Sequence, residues 1–259
     1  VLTRFRDLRL VTPPGVFAPR SDAGVLLDAA LPRLRGDVLD LCAGSGVLAL
    51  EAAPHATSVV AVDLSLGAAA TIRVNALLNR RRVEVRRGDL FRAVGSRRFD
   101  VILTNPPYLP TPPGARAGLG ATAWEGGPRG RDLLDRICAG AAGHLRPGGE
   151  VLIVQSALAD TERTLELLRA SGLEAGVVAE QEGPYGAIAR ARMDYLEAAG
   201  FVADRAAPER VMVICGRRGA RDFCLGQPAA GREAACAADG AGDGERTHGV
   251  AQPGRAGRP

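Results

Sequence analysis

Short, nearly unbroken apolar runs recur along this chain of 259 residues and limit what it can fold into: Val38–Leu41, Val59–Val62, Val101–Leu103 and Val151–Val154. Strands of this kind are buried on both faces, and strands that alternate with helices form a parallel sheet covered on both sides. The runs and their punctuation predict seven strands, over 38–41, 59–63, 83–85, 100–104, 151–154, 173–179 and 210–215. Helices are expected over 47–53, 66–78, 132–145, 161–170 and 187–199, with Pro147-Gly148-Gly149 closing the third. A further helix follows Pro19-Arg20-Ser21-Asp22, where Ser21 or Asp22 is placed to cap it and Val25, Leu26, Ala29 and Ala30 form its apolar face. The expected fold is α/β, a mostly parallel seven-stranded sheet with helices on both faces. Ligands of such sheets bind at the carboxyl ends of the strands.

Two turns fall at those ends. The first strand runs into Asp40-Leu41-Cys42-Ala43-Gly44-Ser45-Gly46. A glycine turn between strand and helix lets backbone approach a ligand, and the helix N-terminus presents free N–H groups and positive dipole character. Asp63 ends the next strand, where its carboxylate can accept from both hydroxyls of a ribose. Asp89 ends the third and can take an exocyclic amine. Gly44-Ser45-Gly46-Val47-Leu48-Ala49 also fits a dinucleotide fingerprint. Asp40 and Asp89 favour instead S-adenosylmethionine, whose amino acid end is cationic, with Ala43, Leu64 and Leu90 completing the expected cradle.

The second turn is Asn105-Pro106-Pro107-Tyr108, directly after Val101–Thr104. Its prolines fix φ, remove competing donors and push Asn105 out of helical geometry. The Asn105 amide oxygen and the Pro106 carbonyl can then both accept from one NH₂ group. Tyr108 can lie over a flat amide or base, and its π-face favours a nearby sulfonium. Amide and exocyclic nitrogens have delocalised lone pairs, so the site must aim the nitrogen at the S–CH₃ axis. Alignment of that kind supplies roughly 7–11 kcal/mol of barrier reduction.

These residues resemble the class I, Rossmann-like S-adenosylmethionine methyltransferases. The Asn-Pro-Pro-Tyr form is similar to the HemK/PrmC group, which methylates the glutamine of release-factor Gly-Gly-Gln loops. The likeness spans about residues 15–215 and takes in Val16-Phe17-Ala18-Pro19-Arg20-Ser21-Asp22, Thr111-Pro112-Pro113, Trp124-Glu125-Gly126-Gly127 and Gly130-Arg131-Asp132. The later stretches resemble the short eukaryotic and archaeal members, which recruit a small partner subunit. The resemblance implies that Asp40, Gly44 and Gly46 cradle the donor, that Asp63 takes the ribose and Asp89 the adenine, and that Asn105, Pro106 and Tyr108 hold the acceptor amide. Trp124 lies in a Pro- and Gly-rich loop over 106–131 and is expected to act as a substrate lid.

Composition narrows the partners. There is no lysine, so all 33 basic residues are arginine, and the net charge is +4. The densest basic run, Arg80-Arg81-Arg82 with Arg86 and Arg87, lacks interleaved aromatics, which weakens a nucleic-acid role. A nucleic-acid base as acceptor, or a noncatalytic donor-binding scaffold, is the alternative to a protein substrate. Five cysteines without C-x-x-C spacing and three histidines argue against zinc. Arg4, Arg6, Asp7 and Arg9 argue against a secretory leader, and no run has the length of a membrane span. A cytoplasmic methyltransferase domain over 1–216 is expected. Gly216–Pro259 holds ten Gly and three Pro without apolar periodicity, so 217–259 reads as a disordered tail.

Overall fold

The computed structural model describes residues 1–114 and 124–220. The tail expected over 217–259 lies outside the described residues from 221 onward. An antiparallel hairpin of β1 (Leu2–Phe5) and β2 (Leu8–Val11) comes first. There follow α1 (Ser21–Ala30), β3 (Asp37–Leu41), α2 (Val47–Ala52), β4 (Ser58–Asp63), α3 (Leu66–Leu78), β5 (Glu84–Arg87) and β6 (Phe99–Thr104). The chain continues through α4 (Asp132–His144), β7 (Leu145–Ser156), α5 (Thr161–Ala170), β8 (Leu173–Gly183), α6 (Ala187–Ala191), α7 (Met193–Ala198) and β9 (Glu209–Arg218).

Seven strands form one sheet in the order β5-β4-β3-β6-β7-β9-β8, and β9 alone runs antiparallel to both of its neighbours. Successive strand side chains point to opposite faces. Val38, Val59, Ala61, Val101 and Leu103 therefore pack with α1, α2 and α3 on one face. Leu39, Val60, Val62, Ile102 and Ile153 pack with α4 and α5 on the other. The unbroken apolar runs are explained by this two-sided burial.

The structure departs from the sequence reading in four places. Pro147, Gly148 and Gly149 do not close a helix but lie within β7, which begins at Leu145. Residues 187–199 form two short helices, since the chain breaks at Arg192. The cap position of α1 is Arg20, with no side-chain cap bond, and Asp22 is used elsewhere. The N-terminal hairpin has no counterpart in the sequence reading, because its two strands are only four residues each and too short to show a period.

That hairpin is fixed by Asn75 of α3 and by Asn79 at the C-terminal cap of that helix. The Asn75 side chain accepts from Val11 N (2.7 Å) and donates to Val11 O (3.0 Å). Asn79 does the same to Arg9, at 2.9 and 2.7 Å. Side chains four apart on a helix rise about 6 Å, close to the advance of two residues along a strand. The two amides thus stand in for a neighbouring strand. Asn75 also donates to Ser45 O at 2.9 Å, which ties the hairpin to the glycine turn.

Candidate active site

The chain leaves β3 through left-handed backbone at Cys42 (φ 58°), Gly44 (φ 54°) and Gly46 (φ 83°). The two glycines serve different contacts. A Cβ on Gly44 would lie 3.2 Å from Phe17 Cβ, and one on Gly46 would meet the Ile72 side chain at 2.9 Å. Asp63, at the end of β4, braces this turn: it accepts from Gly44 N (2.9 Å) and Ser65 N (2.8 Å).

Beside the turn lies a cavity of about 190 Å³. Gly44, Asp63, Leu64, Asp89, Leu90 and Asn105 line it, as the sequence reading placed them. Phe17 and Cys42 line it as well, and Cys42 also packs against the core behind it. Asp89 is paired with Arg136 of α4 at 2.6 Å. Three expected residues stand behind the wall. Ala43 and Gly46 shape the turn. Asp40 is fully buried, and its Oδ2 accepts from Ala49 N at 3.0 Å in the first turn of α2. Burial pushes its carboxyl well above the ordinary value, and Oδ1 has no partner among the described residues.

A second cavity, about 560 Å³, opens on the far side of the Asn-Pro-Pro-Tyr turn. Asn105, Pro106, Pro107, Tyr108 and Trp124 all line it, with Arg20, Asp22, Glu182 and Glu209. Phe17, Asn105 and Pro107 line both cavities and form the partition between them. The carboxylate of Asp22 accepts from Asn105 Nδ2 (3.1 Å) and from the Tyr108 hydroxyl (2.9 Å). Burial and the Asp22 charge raise the Tyr108 phenol well above its ordinary value, so it remains a neutral donor.

Trp124 tilts against Phe17 at 5.2 Å between ring centroids, and the Arg20 guanidinium lies 5.6 Å from the Trp124 ring. Its strand of loop is held down: Leu109 N donates to Trp124 O and Gly126 N to Leu109 O. Arg192 adds bonds to Pro110 O (3.3 Å) and Glu125 (3.1 Å). Residues 115–123 of the expected lid loop lie outside the described residues. Sequence reasoning gives Phe17 no role and gives Asp22 only that of a helix cap, although both stand in the quoted Val16–Asp22 segment. Among the described residues, no group of three His, Cys, Asp or Glu is arranged for a metal, and no helix is long and apolar enough to cross a membrane.

A sheet of this order, with paired cavities at the carboxyl ends of β3, β4 and β6, defines a class I methyltransferase. Residues 7–115 match the model of the methyltransferase small domain. A protein from Methanocaldococcus jannaschii, provisionally described as a protein N5-glutamine methyltransferase, is 32% identical over 187 residues, covering 71% of this chain and 94% of its own length. The chain belongs to that family, the HemK/PrmC-like glutamine methyltransferases. The release factor glutamine methyltransferase of Geobacter sulfurreducens is 37% identical over 179 residues, 65% of this chain, but this chain spans only 62% of it. The Mtq2–Trm112 complex of E. cuniculi, responsible for methylation of the termination factor eRF1, shares the fold at a TM-score of 0.53 and 23% identity, covering 79% of this chain and 99% of that one.

Proposed function

We propose that this chain transfers a methyl group from S-adenosylmethionine to the side-chain amide nitrogen of a glutamine in a protein of the translation machinery, a release factor foremost. The observation that carries this reading is the shared partition. Asn105 and Pro107 wall a donor-side cavity and an acceptor-side cavity at once, so reactants in the two would meet across them.

The first cavity suits the donor on its own features. Gly44 brings bare backbone to its wall beside Phe17, and the Asp63 carboxylate reaches the cavity from a position fixed by two backbone amides. In this reading Asp63 takes the ribose and Asp89 and Leu90 the adenine. Bound there, S-adenosylmethionine supplies an electrophilic methyl on a sulfonium. The protein supplies alignment. Asn105 Oδ1 and the Pro106 carbonyl accept from the glutamine NH₂, turning its lone pair toward the methyl carbon. As positive charge develops on nitrogen, the two oxygens stabilise it. With the donor bound, the nitrogen would gain the methyl, the S–C electron pair would stay with sulfur, and one N–H proton would pass to water. Tyr108 is held neutral and packs the amide rather than acting as a base. Phe17 in the partition and Trp124 beside it wall the acceptor cavity.

A small partner subunit belongs to the same proposal. Leu64, Leu66, Val74, Leu77 and Leu78 are exposed on and beside α3, next to the edge strand β5. Exposed apolar residues grouped in this way mark an interaction surface.

The test uses methyl-labelled S-adenosylmethionine and a cell extract, followed by protease or nuclease. Label that maps to a glutamine in a protease-sensitive product is the expected result. Label in nuclease-sensitive material overturns the glutamine assignment in favour of an exocyclic base amine.

A further inference from the structure

Asp22 is 6% exposed, sits in the first turn of α1, and has three donors around its two oxygens. Ala23 N reaches Oδ1 at 2.8 Å. Asn105 Nδ2 and the Tyr108 hydroxyl both reach Oδ2, at 3.1 and 2.9 Å. Ala23 N–H is a free amide of the first turn of α1, so Oδ1 serves the helix, while Oδ2 serves only the Asn-Pro-Pro-Tyr turn.

We propose that Asp22 is the positioning residue that sets which face the Asn105 amide turns toward the acceptor. The proposal rests on the reading of Asn105 as the acceptor-holding residue. Its physical basis is the one-sidedness of a carboxylate, which only accepts. Whichever atom of the Asn105 amide meets Oδ2 must therefore be the NH₂. An amide rotated by half a turn would set two acceptor oxygens against each other inside a buried site, and a buried acceptor without its donor is costly. With NH₂ committed to Asp22, Oδ1 is the atom left for the substrate nitrogen. An isolated asparagine has no such preference: its two ends are nearly equal in size, and a substrate NH₂ would be met by oxygen or by nitrogen. Tyr108 is oriented by the same oxygen, so one carboxylate aligns both ends of the four-residue turn.

Asp22→Asn tests this directly. The new side chain must turn its own NH₂ toward Ala23 N–H or toward Asn105 and Tyr108, and either way a donor faces a donor. In the rotamer that keeps the Ala23 N–H bonded, the new NH₂ faces Asn105, whose amide relieves the clash by rotating and offers nitrogen to the acceptor. The exchanged pair, Asp22→Asn with Asn105→Asp, restores one donor against one acceptor and leaves the second oxygen at position 105 for the substrate. The Tyr108 hydroxyl adapts to the exchange, since it donates or accepts by rotation.

For Asp22→Asn, turnover should fall about 100-fold, the scale seen when one oriented group of a site is lost, with donor affinity within about threefold of the parent protein. The exchanged pair should recover at least about tenfold of that loss. Full turnover in Asp22→Asn overturns the proposal. So does a folded exchanged pair no more active than Asn105→Asp alone, a comparison that holds even if Asp22→Asn does not fold. Turnover is measured on whichever acceptor the parent protein methylates, so a failed glutamine assignment shows in the parent and not in the variants. A second readout needs no acceptor. The Asn105 side-chain NH₂ resonances, identified by their loss in Asn105→Ala, should exchange slowly with solvent in the parent and faster in Asp22→Asn. Equal exchange rates also overturn the proposal.

Discussion

The backbone of Phe17 crosses Gly44 so closely that a methyl group on residue 44 would stand 3.2 Å from Phe17 Cβ. The segment before α1 thus lies across the glycine turn, and the two together wall the donor-side cavity. Gly44→Ala must both force an L-residue into φ 54° and push Phe17 aside. Left-handed backbone alone costs roughly 1–2 kcal/mol. Calorimetry should show donor affinity lower by about tenfold, the equivalent of 1.4 kcal/mol. An affinity equal to that of the parent would mean that this crossing is no part of the donor site.

Asp63 engages Gly44 N and Ser65 N with different oxygens. Asp63→Asn keeps the size but turns an NH₂ toward one of those amides. Both Asp63→Ala and Asp63→Asn should therefore weaken donor binding by about tenfold or more, since a hydrogen bond to a charged group is worth about 1.5–3 kcal/mol. Isothermal titration with S-adenosylhomocysteine as a stable probe measures this. A change confined to Asp63→Ala would assign the residue a packing role.

Asn75 is fully buried and serves Val11 N, Val11 O and Ser45 O. Asn75→Ala leaves these groups without partners, at a cost of about 2–3 kcal/mol. For a domain of this size that lowers Tm by roughly 5–10 °C. Hydrogen exchange should rise first at residues 8–12, because the hairpin is released from α3. Global destabilisation with no preference for the hairpin would contradict the clamp.

Arg146 bridges Asp37 and Asp100, at 2.5 Å to each. Hydrogen bonds from Ser58 and Arg146 hold the Asp37 carboxyl below its ordinary value. A group with a depressed folded pKa adds stability above the unfolded value, about 3.9, and that stability is lost as pH falls through the folded value. Arg146→Met should therefore be less stable than the parent at pH 7, with the gap closing below about pH 4. Urea titrations at neutral and acid pH measure it. A gap independent of pH would remove Asp37 from the account.

Much of the architecture could be read locally. The limits of α3 and α5 and the placement of both turns at strand ends follow from apolar runs, proline and glycine, which restrict their own backbone and that of the next residue. Other features gave no local sign. His144 stacks on Phe91 with ring centroids 4.3 Å apart, a contact across 53 residues. Arg210–Cys215 reads as a strand, but its antiparallel direction follows from its insertion between β7 and β8.

The sequence by itself determined a two-sided α/β sheet and put a glycine turn and an Asn-Pro-Pro-Tyr turn at its ligand-binding edge, because strand burial and φ restriction act between neighbours. Tertiary structure alone decided that Asp22 meets Asn105 across 83 residues, that Phe17 overlies Gly44, and that Asp40 lies behind the cavity wall. Such pairings join side chains far apart in the chain, and long-range contact leaves no period in the sequence from which to read it.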